Sequence, residues 1–190
     1  MIAIIGKSGA GKSTLLNFLT KQGYQTFNCD NFIEKEYKKD GFLFKAINQE
    51  IGTFLNDDNG ISKDKIKTWI AQNNNNINVL EKCIYPILGN ALSSQKFDFV
   101  EIPNLDSKNY DFFSLFSGVL CVSIFEKNRL KNLYKKGVDK FTIKWINQKN
   151  DPKRIKKALF GKKPIVDIYA YNISTILRNQ KKMDYLISLL

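Results

Sequence analysis

The feature that most constrains this chain is the stretch GKSGAGKS at residues 6–13. Four apolar residues at 2–5 precede it, and the apolar-rich run 13–19, typical of a helix, follows it. The spacing G-x-x-x-x-G-K-S is that of a P-loop. The backbone N–H groups of such a loop line one concavity, and the following helix adds the positive end of its dipole. The stretch therefore predicts a strand, a phosphate-binding loop and a helix in a chain that binds a nucleoside triphosphate.

The residue types in this loop predict individual contacts with the nucleotide. Glycines allow positive φ and a close approach of backbone to ligand. Lys12 can reach the β- and γ-phosphates, the Ser13 hydroxyl can ligate Mg²⁺, and Thr14 is expected at the α-phosphate. The predicted nucleotide-binding residues of this stretch are Gly6, Lys7, Ser8, Gly9, Ala10, Gly11, Lys12, Ser13 and Thr14.

The rest of the chain alternates apolar runs with helix-like segments. Predicted strands cover 2–5, 24–29, 97–102, 119–125 and 165–169, and predicted helices cover 12–22, 63–72, 77–92 and 173–190. Such alternation predicts a parallel sheet with right-handed crossovers. We therefore expect an α/β protein of the P-loop NTPase fold, a five-stranded parallel sheet flanked by helices.

The length of 190 residues favours one domain spanning 1–190. The stretch 31–95 is longer than one crossover needs, and its pattern is helical, so we expect a helical insert there. An insert in this architecture stands over the carboxyl ends of the strands, where a second substrate would bind. A highly charged stretch at 126–163 contains a further helix.

The amino-acid composition limits which residue types can act as catalytic acids and bases or form metal sites and disulfides. The chain has no histidine, so general acid–base catalysis must fall to Asp, Glu, Lys or Tyr. Its three cysteines, Cys29, Cys83 and Cys121, are widely spaced, which argues against a zinc site or a disulfide framework and favours a cytoplasmic location.

The net charge of +12 suits polyanionic ligands in general. Much of it lies in lysine- and asparagine-rich stretches typical of solvated surface, so we expect no nucleic-acid partner. No apolar run approaches the roughly 20 residues of a membrane span, and we expect no membrane association. The oligomeric state is left open.

Beyond the P-loop, an ordered set of short motifs resembles the dephospho-CoA kinase family. The family's D-A-D-like element after the second strand corresponds to Asn28-Cys29-Asp30, and its His-Pro pair to Tyr85-Pro86. Its L-D-x-P-L-L strand corresponds to residues 100–105, with Glu101 at the acidic position.

The resemblance continues through the second half of the chain. Lys131 and Lys135 in RLKNLYKKG occupy positions where the family usually has arginines, within a basic lid segment, here 126–163. Gln148 and Arg154 match its Q-x₅-[KR] element, and 166–172 matches its A-D-x-x-I-x-N element.

This resemblance implies an activity: Mg²⁺-dependent transfer of a phosphoryl group from ATP to the ribose 3′-hydroxyl of dephospho-CoA. It implies that Asp30 orients and deprotonates that hydroxyl, and that Glu101 holds a magnesium-bound water. Lys131, Lys135 and Arg154 would close over the transferring phosphoryl group. Phe32, Tyr85 and neighbouring aromatic residues would line the substrate side.

Simpler interpretations stay open for several of these residues. Asp30 could cap the next helix, Glu101 could be a solvated acid at a strand end, and the aromatic residues could be core. A nucleoside or nucleotide kinase shares the same plan. A P-loop ATPase or GTPase is a second alternative, although no N-K-x-D-like guanine motif is present. A nucleotide-binding relative without catalysis is a third, because lysines stand where the family has arginines.

Overall fold

A computed structural model describes residues 1–138, 152–170 and 179–190 of the chain. The chain divides into two compact units. The sheet unit comprises Met1–Asn28, Lys96–Asp106 and Phe113–Leu190, and the helical unit comprises Cys29–Gln95 and Ser107–Phe112. Gln148, Tyr171, Asn172 and the first part of the predicted closing helix lie outside the described residues.

The sheet unit contains a five-stranded parallel sheet, which confirms the predicted architecture. Numbered along the whole chain, its strands are β1 Ile2–Ile5, β2 Thr26–Asn28, β5 Phe99–Glu101, β6 Gly118–Ser123 and β7 Ile165–Tyr169. The spatial order is β2-β5-β1-β6-β7. The helices of this unit are α1 Lys12–Lys21, α6 Glu126–Lys135, α7 Pro152–Leu159 and α8 Gln180–Ser188.

The core of the sheet unit explains why the central strands are continuous apolar runs. A parallel sheet covered on both faces buries successive side chains of a strand, so polar alternation is absent. Ile4 of β1 and Phe99 of β5 are buried in one cluster with Leu15 and Leu19 of α1. Tyr24 packs edge-on against Phe99 with ring centroids 5.2 Å apart. The loop after β1 is therefore anchored by packing on both of its flanks.

The helical unit consists of four helices and a small hairpin. The helices are α2 Cys29–Glu36, α3 Phe42–Glu50, α4 Lys63–Gln72 and α5 Asn76–Ser93, and the hairpin pairs β3 Asn56–Asp57 with β4 Gly60–Ile61. Ser62 caps α4, because its hydroxyl accepts a hydrogen bond from the Lys65 backbone N–H. Pro86 lies inside α5, as expected.

Two details of the described structure differ from the sequence expectation. The hairpin was not predicted, because strands of two residues carry no periodicity. The predicted second strand at 24–29 is too long, since β2 ends at Asn28 and Cys29 already begins α2. Within the described ranges, no helix is both long and apolar enough to cross a membrane.

Phe99 tests the central packing of the sheet unit. Phe99→Ala should lower the free energy of unfolding by about 3–5 kcal/mol, because it leaves a cavity beside Ile4 and α1. Phe160, which follows α7 and is 87% exposed, provides a matched control. Phe160→Ala should change stability by less than about 0.5 kcal/mol. Urea denaturation followed by circular dichroism measures both, and equal effects would contradict the assigned core.

Candidate active site

The P-loop links the end of β1 to the start of α1. Gly6 has φ of +149°, and a Cβ atom there would lie 2.4 Å from the carbonyl oxygen of Val122 in β6. Only glycine fits this close approach of two backbones. Gly11 precedes α1 and has no side chain to cap the first N–H groups of that helix. Those N–H groups are the donors that a phosphate chain needs.

Glu101 is the centre of the polar site at the carboxyl end of the sheet. It ends β5 and is only 4% exposed. Its Oε1 accepts a hydrogen bond from the Ser13 hydroxyl at 3.4 Å and lies 3.7 Å from the Lys12 Nζ, while its Oε2 accepts from the Asn28 amide at 2.9 Å. The solvated-acid interpretation of Glu101 is therefore wrong.

The strand register explains why these side chains lie against Glu101. β5 lies between β1 and β2, and Glu101 pairs in register with Ile4 on one side and Asn28 on the other. Parallel strands end at the same edge of a sheet, so the residues after β1 and at the end of β2 converge on Glu101. Lys12 also donates to the Gly6 carbonyl at 3.1 Å, which directs its stem across the loop.

A cleft of about 300 Å³ opens beside this cluster. Its walls combine P-loop residues with one face of α6: Gly9, Gly11, Lys12, Ser13, Thr14, Asn132, Lys135 and Lys136. Of the predicted lid cations, Lys135 lines this cleft, whereas Lys131 is exposed elsewhere on α6. Arg154 instead pairs with Asp106, at 2.7 Å from its Nε and 2.9 Å from its Nη2.

The predicted substrate-side residues belong to the helical unit. Asp30 is exposed in the first turn of α2, which begins one residue earlier. Phe32 is half-buried, and Tyr85 is buried with its ring 5.1 Å from that of Phe112.

Sequence reasoning missed two residues of α6 that contact the P-loop. Arg129 is 1% exposed and donates from Nη1 to the Ser8 carbonyl at 3.1 Å, and Asn132 donates to the Gly9 carbonyl at 3.0 Å. The available signal was the spacing Glu126-x-x-Arg129 followed by the buried Leu133, which places one ion pair and one apolar residue along a helix face. The hydrogen bonds from Arg129 lower the pKa of the Glu126 carboxyl, although its burial opposes this shift.

The donor set fits a magnesium ion. Mg²⁺ prefers oxygen ligands and is usually bound through one or two protein groups together with phosphate oxygens and water. The Ser13 hydroxyl and the Glu101 carboxyl provide two such oxygens within 3.4 Å of each other beside the P-loop.

The comparison with protein families identifies the family of this chain. The family model for dephospho-CoA kinase matches residues 1–158, which include the P-loop, Asn28, Glu101 and α6. The chain belongs to the dephospho-CoA kinase family.

Individual relatives agree with this family assignment. The dephospho-CoA kinase of Lactococcus lactis is 25% identical over 96% of this chain and 94% of its own length. The dephospho-CoA kinase of Rickettsia felis is 28% identical over 63% of this chain, and the match spans 64% of that enzyme, which is less than two thirds of its length. Among solved structures, TT1252 from Thermus thermophilus shares the fold, with a TM-score of 0.68, 18% identity and coverage of 97% of this chain and 95% of that one.

Asn28 offers a test of the Glu101 cluster, because the dephospho-CoA kinase pattern has an acid at this position. Asn28→Asp replaces the amide donor 2.9 Å from Glu101 with a second carboxyl group. We expect the free energy of unfolding at pH 7 without Mg²⁺ to fall by about 1–3 kcal/mol, through a lost hydrogen bond and like-charge repulsion.

The repulsion has a defined pH dependence. Two adjacent carboxyl groups cannot both ionise easily, so the folded variant takes up a proton at a pH above that at which the unfolded chain does. The decrease in the free energy of unfolding should therefore be present at neutral pH and become smaller as the pH falls toward 5. Asn28→Ala removes the donor without adding charge and should lack this recovery. Thermal denaturation across pH measures both, and identical profiles would contradict the placement of Asn28 against Glu101.

Proposed function

We propose that this chain transfers the γ-phosphoryl group of ATP to the ribose 3′-hydroxyl of dephospho-CoA, producing coenzyme A and ADP. The observation that carries the proposal is the contact of Glu101 with Lys12 and Ser13 of the P-loop, in a chain of the dephospho-CoA kinase family. These residue types in contact are what the binding of a metal–triphosphate complex needs.

The P-loop residues would hold the triphosphate. N–H groups of Gly9, Gly11 and the first turn of α1 would bind the phosphate oxygens, Lys12 would neutralise the β- and γ-phosphates, and Thr14 would bond the α-phosphate. Ser13 and Glu101 would hold Mg²⁺, which when bound neutralises charge that develops on the phosphates.

Asp30 is proposed as the general base. It follows Asn28 by two positions, and it corresponds to an acid of the family's element after the second strand. Its carboxylate would orient the ribose hydroxyl and accept its proton while the new O–Pγ bond forms, and the bond between Pγ and the β–γ bridging oxygen breaks as ADP leaves. With no histidine in the chain, a carboxylate is the remaining strong candidate for this proton.

The remaining assignments concern the surroundings of the reaction. Residues 31–95 are proposed as the substrate-binding insert, with Phe32 and Tyr85 on the dephospho-CoA side, and residues 126–163 as the lid. The separate helical unit Cys29–Gln95 supports this division. Lys131, Lys135 and Arg154 would stabilise the transferring phosphoryl group and the nucleotide. We also propose a cytoplasmic enzyme without nucleic-acid or membrane partners.

The proposal is tested by incubating the purified chain with ATP, Mg²⁺ and dephospho-CoA and measuring coenzyme A by mass spectrometry. Deoxynucleosides and nucleoside monophosphates serve as competing acceptors. Coenzyme A formation above phosphorylation of those acceptors is expected. ATP binding without any transfer would instead indicate a non-catalytic relative.

Lys12→Ala should lower kcat/KM for ATP by roughly 10²-fold or more, because it removes the cation that faces the β- and γ-phosphates. Lys21→Ala, an exposed change at the opposite end of α1, is the matched control and should leave turnover near the wild-type value. Coenzyme A formation measured with both variants decides the point, and normal turnover in Lys12→Ala would exclude this P-loop role.

Asp30→Asn keeps the size of the side chain but cannot accept the proton. We expect kcat to fall by roughly 10²-fold or more while ATP affinity stays unchanged. Asp64, an exposed acid in the first turn of α4, provides a control for the loss of charge at a helix N-terminus. Asp64→Asn should leave kcat unchanged, and an Asp30→Asn variant with full turnover would refute the catalytic role.

A further inference from the structure

The carbonyl groups on one side of the P-loop face α6, and two side chains of that helix bind them. Arg129 Nη1 donates to the Ser8 carbonyl at 3.1 Å and Asn132 Nδ2 donates to the Gly9 carbonyl at 3.0 Å. Residues three apart share a helix face, so one face of α6 holds two consecutive peptide groups of the loop.

Arg129 is built to hold this contact rigidly. Its side chain is 1% exposed, and its Nε and Nη2 donate to the two carboxylate oxygens of Glu126 at 2.9 and 2.6 Å. This two-point pairing determines the plane of the guanidinium group, which leaves Nη1 directed at Ser8. Burying a guanidinium costs desolvation free energy, which its hydrogen bonds to Glu126 and to the Ser8 carbonyl must offset. The Arg129 side chain is therefore held in one place, whereas a solvated surface arginine can move freely.

The close approach also depends on Gly9. Its φ is +82°, and a Cβ atom there would lie 2.9 Å from Leu133 Cγ and 3.1 Å from the Arg129 carbonyl oxygen. Any larger residue would push the loop away from α6 and lengthen both hydrogen bonds.

The consequence for the loop follows from the geometry of the peptide bond. In a trans peptide the C=O and the N–H of one peptide group point in opposite directions. Holding the Ser8 carbonyl from α6 therefore turns the N–H of Gly9 away from that helix. Holding the Gly9 carbonyl likewise sets the Ala10 N–H, which donates to the Lys7 carbonyl at 3.0 Å and closes the turn of the loop.

We propose that Arg129 and Asn132 are positioning residues for the triphosphate: they bind the Ser8 and Gly9 carbonyls so that the N–H groups of the P-loop are already oriented when the nucleotide binds. Asn132 lines the cleft together with Lys135 and Lys136, so α6 presents its cations and orients the loop amides from one rigid element. The inference rests on the proposed nucleotide-binding role of the loop and not on the identity of the acceptor.

Asn132→Ala is the first test, because this residue is only half-buried and its truncation should not prevent folding. Titration calorimetry with ADP and Mg²⁺ should show an increase in Kd of roughly tenfold, since a misoriented loop must reorder on binding. Asn128→Ala, one turn earlier on the same helix and exposed, is the matched control and should change Kd by less than about twofold.

Arg129→Met and Glu126→Gln separate the loop contact from the ion pair. Arg129→Met removes the donor to Ser8 and should weaken ADP binding by roughly tenfold or more. Glu126→Gln keeps the Arg129 donor to Ser8 but loses one of the two hydrogen bonds that determine the guanidinium plane, so it should weaken ADP binding less than Arg129→Met does. The double variant of Arg129→Met and Asn132→Ala should lose less than the product of the two single effects, because both act on the same loop conformation.

These outcomes decide between positioning and simple packing. Variants that lower the Tm but bind ADP like the wild type would overturn the proposal, as would equal effects of Asn132→Ala and Asn128→Ala. If Arg129→Met does not fold, the comparison of Kd for ADP between Asn132→Ala and Asn128→Ala still tests the proposal. If the variants show this pattern of ADP affinities but the protein forms no coenzyme A, the proposed acceptor is wrong and the positioning role of Arg129 and Asn132 still stands.

Discussion

The site depends on one buried carboxyl group at the end of a central strand. Removing a carboxylate from water costs several kcal/mol unless hydrogen bonds and an opposite charge compensate. Glu101 has the Asn28 amide, the Ser13 hydroxyl and the Lys12 ammonium within reach. Asn28 ends β2, whereas Lys12 and Ser13 begin α1 directly after the P-loop, so satisfying Glu101 joins the P-loop to β2 and β5. The contacts that we propose for nucleotide binding therefore also hold the strand ends of the sheet together.

The P-loop is held from two sides. On the sheet side, Gly6 lies against the Val122 carbonyl. On the other side, Arg129 and Asn132 of α6 hold the next carbonyl groups of the loop. Phosphoryl transfer is mainly a matter of positioning and charge neutralisation, so in the proposed function a loop whose donors are oriented before binding would contribute directly to the reaction.

Where this chain departs from the family pattern, each substituted side chain has a specific contact in the structure. An amide at Asn28 donates to Glu101, where the family's acid would place a second carboxyl group. Tyr85, in place of the histidine of the His-Pro pair, forms part of an aromatic cluster with Phe112 and Tyr110 in the helical unit. Arg154, matched to a nucleotide-side position, bonds with Asp106 through two of its nitrogens.

The sequence by itself determined the P-loop, the parallel sheet, α5 with its internal proline and the family. These features depend on local spacing or on the order of motifs, both of which can be read along the chain. Only the tertiary structure decided that Asn28 meets Glu101, 73 residues away, and that Arg129 meets Ser8, 121 residues away. Such contacts follow from strand order, register and helix rotation, which no local periodicity encodes. The same limit applies to the hairpin at 56–61, whose strands are too short to carry a pattern.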